Sequence, residues 1–261
     1  MKNLIVSIFV MGTCALSAHG SFVDNCAANL TSAESKTLSA VFALVGEKAV
    51  PSEAVCVAVE ARLRLKTTLD LSSKGISDLS VLSQMPWITA INLAGNQVAD
   101  LSALEGLRDL KALVLSANQI SDLGSVADLK AVEYLDLAVN RISDVSPLVS
   151  LPALKSLNLS ENQVRDVSPL GSIASLEILT ISKNAVAELT PLQPLINLRM
   201  LSVSFNPIRS FSSLQFLEKQ HLNSSGEWNQ LQILGKPVVR PSSPSPCYPS
   251  YAVSTCRSCS C

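Results

Sequence analysis

Histidine is nearly missing from this chain, with two among 261 residues, and glycine is down to ten scattered positions. Ser–His and Cys–His catalytic pairs therefore have almost no material to be built from. Without clustered glycines there is no backbone cradle for a phosphate. Neither sign of charge dominates: 20 Lys and Arg stand against 21 Asp and Glu, a formal net charge of −1. That balance excludes the basic face that nucleic acid requires, and also a long acidic tail. Aromatic residues make up only 4% while hydrophobic ones reach 48%, so the core must be aliphatic. Beyond the first twenty residues no apolar run is long enough to span a bilayer.

Those first twenty residues read as a secretory leader. Lys2 supplies the positive n-region, Leu4 to Leu16 the apolar stretch, and Ala18-His19-Gly20 the small-residue cleavage site, with cleavage after Ala18 or Gly20. An alternative is acylation at Cys14, because Met11-Gly12-Thr13-Cys14 loosely resembles a lipoprotein box. Removing Lys2 leaves 19 basic side chains against 21 acidic ones, a formal charge of −2. Removing Cys14 from the seven cysteines leaves six, an even number that favours disulfides in an exported chain.

Periodicity decides the fold. Blocks of 22 residues align seven times without insertion, beginning at Leu69, Ile91, Leu113, Leu135, Leu157, Leu179 and Leu201. The opening L-x-L alternates with period two, which is a very short strand with both apolar side chains on one face. Five residues into each copy after the first stands an asparagine: Asn96, Asn118, Asn140, Asn162, Asn184 and Asn206. A buried amide can satisfy backbone groups where the chain leaves the strand, and stacked copies can continue the ladder. Lys74 takes that place in the first copy, which puts its turn at the solvated end of the stack. An aliphatic residue then returns inward, and Asp78, Asp100, Asp122, Asp144 and Asp166 recur two positions later. Ser146-Pro147, Ser168-Pro169 and Thr190-Pro191 read as an N-cap followed by proline at the first position of a short 3-10-like return segment. One such copy cannot bury its leucines, whereas a stack of them makes a continuous core.

Column by column, this pattern resembles bacterial leucine-rich repeats of the 22-residue internalin kind, over about 150 residues from Leu69. The resemblance implies an α/β leucine-rich-repeat solenoid with parallel short strands on a concave face, where protein ligands bind. It also implies a helical N-terminal cap. The calcium that accompanies that cap in internalins is not carried over, since no acidic loop of EF-hand type is present.

The expected organisation is a signal peptide over 1–20, a helical cap over 21–66 and repeats over 67–222. A C-terminal cap over 223–236 and a Pro/Ser-rich, cysteine-containing tail over 237–261 complete it. Thr31 or Ser32 caps a first helix and Pro51-Ser52 opens a second, with Leu38, Val41, Phe42 and Val45 on one face and Val55, Val59 and Leu63 on the other. Cys26 and Cys56 flank this pair, and a bridge between them would pin it. Phe205, Phe211, Leu214, Phe216, Leu217, Trp228, Leu231, Ile233 and Leu234 suit a closing layer. Tail residues Cys247, Cys256, Cys259 and Cys261 could form disulfides, hold zinc or link chains, and their pairing cannot be deduced from spacing.

No catalytic set emerges. His221 stands alone near the end of the repeats, and the aspartate column repeats too strictly to be anything but turn geometry. The expected activity is therefore recognition: an exported module that binds a protein through its concave face, with no cofactor, no metal and no nucleic acid. Candidate contact residues are Tyr134, Asp136, Asn158, Ile178, Thr180, Arg199, Met200, Ser202 and Phe205, of which Tyr134, Ile178 and Met200, with Arg199 and Phe205 nearby, form the apolar anchor. The alternative is a structural or surface-attachment protein anchored or cross-linked through the cysteine-rich tail.

Overall fold

The structure is a computed structural model and describes residues 22–26, 30–48, 52–210 and 232–234. The leader, His221 and the cysteine-rich tail lie outside the described residues, as do Phe211 to Leu231 of the expected closing layer.

Among the described residues, three helices precede the repeats. The first, α1 (Phe22–Cys26), was not expected from the sequence, because five residues carry no helical period. The second, α2 (Ser32–Ala43), starts from Thr31, whose hydroxyl accepts from the Glu34 N–H while the Glu34 carboxylate accepts from the Thr31 N–H. This reciprocal capping satisfies two of the backbone donors that a helix start leaves open. In α3 (Glu53–Leu63) the Ser52 hydroxyl plays the same part towards Val55. The helices cover the first coil: the Thr37 hydroxyl donates to the Asp78 carbonyl at 2.6 Å, and Leu38, Val41, Phe42, Cys56, Val59 and Leu63 are buried. Cys26 and Cys56 are joined in a disulfide that ties α1 to α3.

Seven three-residue strands follow at 22-residue intervals: β1 (Thr68–Asp70), β2 (Ala90–Asn92), β3 (Ala112–Val114), β4 (Tyr134–Asp136), β5 (Ser156–Asn158), β6 (Ile178–Thr180) and β7 (Met200–Ser202). All lie in one parallel sheet in strict sequence order, each repeat position facing its equivalent in the next copy, as in Leu113↔Leu135 and Leu135↔Leu157. An eighth strand, β8 (Gln232–Leu234), pairs with β7 through Met200↔Gln232. It falls outside the 22-residue count, which is why the repeat pattern alone stopped at seven.

The leucines do what the period requires. Leu71, Leu93, Leu115, Leu137, Leu159, Ile181 and Val203 form one buried file through the stack. The return segments add further files, among them Leu82, Leu104, Val126, Leu148, Leu170 and Leu192. Each fully buried aliphatic side chain contributes about 2 kcal/mol, and none of it is available to an isolated coil. Return segments such as Ser146–Ser150 and Ser168–Ser172 are 3-10 turns. Their start differs from the expected serine cap. The prolines do occupy the first helical turn, but the Asp144 carboxylate is what accepts from the Ser146 N–H, at 2.8 Å, and Asp166 does the same for Ser168. A carboxylate two residues ahead reaches the open N–H better than the serine's own hydroxyl.

One column carries strain. Immediately before each ladder asparagine, and before Lys74 in the first copy, the backbone turns left-handed, at Ser73, Gly95, Ala117, Val139, Glu161, Lys183 and Phe205. Glycine sits there without penalty, but Val139, at φ 58° and β-branched, is poorly suited to that region. Glycine removes a strain of about 1–2 kcal/mol and gives the unfolded chain extra entropy that offsets about half of it, so Val139→Gly is expected to stabilise the protein by about 0.5–1 kcal/mol. Urea unfolding checks it, and an unchanged or lower midpoint would show that Val139 is at ease where it stands.

Candidate functional site

The asparagine ladder comes first, because it sets the geometry of the face. Asn140 accepts from the Ile120 N–H at 3.0 Å and donates to the carbonyls of Leu115 and Leu137, each at 3.0 Å. The same three bonds recur at Asn118, Asn162, Asn184 and Asn206, each joining its own coil to the one before. Asn96 reaches back to the first coil, accepting from the N–H groups of Lys74 and Ile76. Lys74, which replaces asparagine there, is itself exposed. Adjacent coils are thereby locked in register, and the side chains that point away from the core fall into straight files about 4.8 Å apart from coil to coil.

Four of those files make the strand face. Tyr134, Ile178 and Met200 share the file before the inward leucine; Tyr134 is 43% exposed and Ile178 38%. Ile178 and Met200 are direct register partners, whereas Tyr134 is two strands from Ile178 across the small Ser156. Burial against the sheet, and secondarily the Asp136 charge, push the Tyr134 phenol upward, so it stays a neutral donor. In the middle file, Asp136 and Asn158 each use one side-chain oxygen on the N–H two residues on, at Ala138 and Ser160. Thr180 is half-buried beside Ser202, whose hydroxyl bonds that of Ser182 at 2.8 Å. Phe205 is not on the strand. It occupies the left-handed turn beyond it and is 81% exposed, so it belongs to the rim opposite Arg199 rather than to the Tyr134 file, and it does not pack into a closing layer as expected.

Of one further file, sequence reasoning singled out Arg199 alone. Just ahead of the strands run Lys111, Glu133, Lys155, Glu177 and Arg199, alternating in sign. Lys155 meets Glu133 at 2.6 Å and Arg199 meets Glu177 at 3.6 Å. Glu133 is held below the ordinary carboxylate value by its hydrogen bond and then its Coulomb attraction to Lys155, and Lys155 is raised in return. On the turn side, Lys183 and Glu161 pair at 2.8 Å. The signal was present two positions ahead of the first leucine of each pair, and beyond Arg199 a reading confined to the strand did not follow it. The N-terminal end carries a second unanticipated contact, the Arg64 guanidinium 4.5 Å from the Trp87 ring centre, while the indole N–H donates to the Leu63 carbonyl.

The recurrent aspartates are structural. The N–H and hydroxyl of serines two residues on lower the carboxyls of Asp100, Asp144 and Asp166 in this column and of Asp70 at the end of β1, with the hydroxyl first at Asp70 and Asp166 and the N–H first at Asp100 and Asp144. A carboxyl depressed by folding adds stability that is present above its unfolded value near 3.9 and is lost as pH falls through the folded one. The urea midpoint is therefore expected to hold steady down to about pH 5 and to drop below about pH 4. Asp144→Ala should make that acid limb shallower, and an unchanged limb would remove the turn aspartates as its cause. Among the described residues no group of three or more His, Cys, Asp and Glu is placed to hold a metal ion, and no helix is long and apolar enough to cross a membrane.

The family described as leucine-rich repeats in two copies matches residues 130–172. Among solved structures, an internalin of Listeria monocytogenes is 25% identical over 78% of this chain and 57% of its own, with a TM-score of 0.66. Internalin C2 of the same organism is 26% identical over 78% of this chain and 96% of its own, with a TM-score of 0.60. A leucine-rich-repeat protein of Leptospira interrogans shares the fold at 22% identity and a TM-score of 0.52, over 66% of this chain and 50% of its own. This chain thus spans little more than half the length of the first of these structures. No curated protein sequence matches it.

Proposed function

We propose that this chain, an internalin-like leucine-rich-repeat protein, is an exported recognition module that binds a protein partner on its strand face and catalyses no reaction. The observation that carries the reading is the unbroken register of β1 to β7, which presents Tyr134, Ile178 and Met200 on one rigid wall. A leucine-rich-repeat fold is a protein-interaction module, and a preordered wall loses little conformational entropy when a partner docks. Asp136, Asn158, Thr180 and Ser202 supply the polar surround, with Arg199 and Phe205 at opposite rims. Export rests on the leader-like residues 1–20, and the Cys26–Cys56 disulfide suits an oxidising compartment.

Apolar anchors carry most of a protein interface, so Tyr134→Ala is expected to weaken binding by about 2 kcal/mol, roughly thirtyfold, and Met200→Ala by about 1 kcal/mol. Calorimetry with a partner captured from envelope or host extract measures both, with Val149→Ala on a return segment as the control. Undiminished affinity in Tyr134→Ala and Met200→Ala together would place the interface elsewhere. The attachment reading through the tail cysteines is separated by non-reducing electrophoresis, since it requires a cysteine-dependent multimer or an envelope-bound chain.

A further inference from the structure

Building on the recognition function proposed above, we infer that the bound partner segment is an uncharged, extended stretch of polypeptide crossing coils four to seven, with apolar side chains at positions i and i+4. Both rims of the face pair most of their charge internally, Lys111 standing outside the ion pairs. On one side Glu133 and Lys155 pair across adjacent coils, as do Glu177 and Arg199. On the other, Glu161 and Lys183 do the same. Across the outward files of coils three to seven there are four cations, Lys111, Lys155, Lys183 and Arg199, and four anions, Glu133, Asp136, Glu161 and Glu177. The floor between the rims is hydroxyl and amide: Ser156, Asn158, Ser160, Thr180, Ser182 and Ser202. A strongly charged partner would have to break these pairs, or sit unpaired over them, and would gain no net field in exchange. A neutral segment leaves every pair intact and finds hydrogen-bonding groups on the floor.

The spacing of the anchors supplies the rest. Tyr134 and Met200 lie three strands apart in one register file. At about 4.8 Å per strand that is about 14 Å, the reach of about four residues of extended chain. Residues i and i+4 of an extended chain point to the same side, so one segment can seat an apolar side chain at each end of the file.

The test is selection of displayed random peptides of about twelve residues on the immobilised full chain, followed by affinity measurement from low salt to about 0.5 M NaCl. Expected are sequences near zero net charge with apolar residues four apart, whose affinity changes less than about twofold with salt. Their binding should be lost in Tyr134→Ala. A further arm uses Lys155→Ala, which frees Glu133: selection on this variant should shift to cationic peptides whose binding is salt-sensitive. Charged, salt-sensitive peptides recovered on the unaltered chain, yet lost in Tyr134→Ala, would overturn the neutral-segment inference and leave the strand face as the binding surface. Peptides indifferent to Tyr134→Ala, or no enrichment at all, would count against the face itself and the inference with it.

Discussion

Asn140→Ala is expected to destabilise the protein by about 3 kcal/mol, more than any single leucine-to-valine change in the same coil. The side chain is 9% exposed and occupied at both ends. Its oxygen takes the Ile120 N–H, and its amide nitrogen serves the Leu115 and Leu137 carbonyls. Alanine leaves the Ile120 N–H without its acceptor, at about 1–3 kcal/mol, and takes from the Leu115 and Leu137 carbonyls one of two amide donors, Asn118 and Asn162 remaining, at about 0.5–1.5 kcal/mol each. Two of the three affected groups, the Ile120 N–H and the Leu115 carbonyl, belong to the preceding coil, so the damage crosses the coil boundary. Equilibrium urea unfolding measures it, and Asn140→Asp makes a sharper comparison. Aspartate keeps the acceptor for Ile120 but turns the donor into an anion facing two carbonyls, so it should be no better tolerated. A loss under about 1 kcal/mol for the alanine variant would mean that water replaces the amide and that the ladder does not hold the register.

The second large effect is at the N-terminal cap. Replacing Cys26 and Cys56 together by alanine is expected to cost about 3–4 kcal/mol, the loop-closure contribution for two sites 30 residues apart. The loss should be local. With five residues, α1 is far too short to persist by itself. Without the bond, Phe22 has little to keep it against α3 and the first return turn. Hydrogen exchange should therefore quicken through α2, α3 and β1 while β4 to β6 remain protected, as nearest-neighbour coupling in a solenoid requires. Uniform acceleration across all coils would show instead that the cap and the repeats unfold as one unit.

Much of this was legible in the chain itself. The 22-residue spacing settled the strand positions and their mutual register, since any slip would carry an entire file of leucines to the solvent. It also singled out the asparagines, because only a residue with both donor and acceptor can bridge two coils at a buried turn. Thr31 and Ser52 announced their helices through the ordinary chemistry of N-caps. These are signals that depend on neighbours in sequence or on strict repetition, and both survive in one dimension.

Other features arise only when coils are stacked. Lys155 and Glu133 are 22 residues apart and become ion partners because the stack places them one strand spacing from each other. Gly171, one of ten scattered glycines in the sequence, lies where an added Cβ would collide with the Pro191 carbonyl of the next coil. Phe205 reads as a neighbour of Met200 along the chain, yet a left-handed turn sends it to the far rim. The repeat thus determined by itself which residues are inside, because burial in a solenoid follows from period alone. Which outward residues neutralise, crowd or accompany one another was decided by tertiary structure, because that depends on distances between coils and on the sense of each turn.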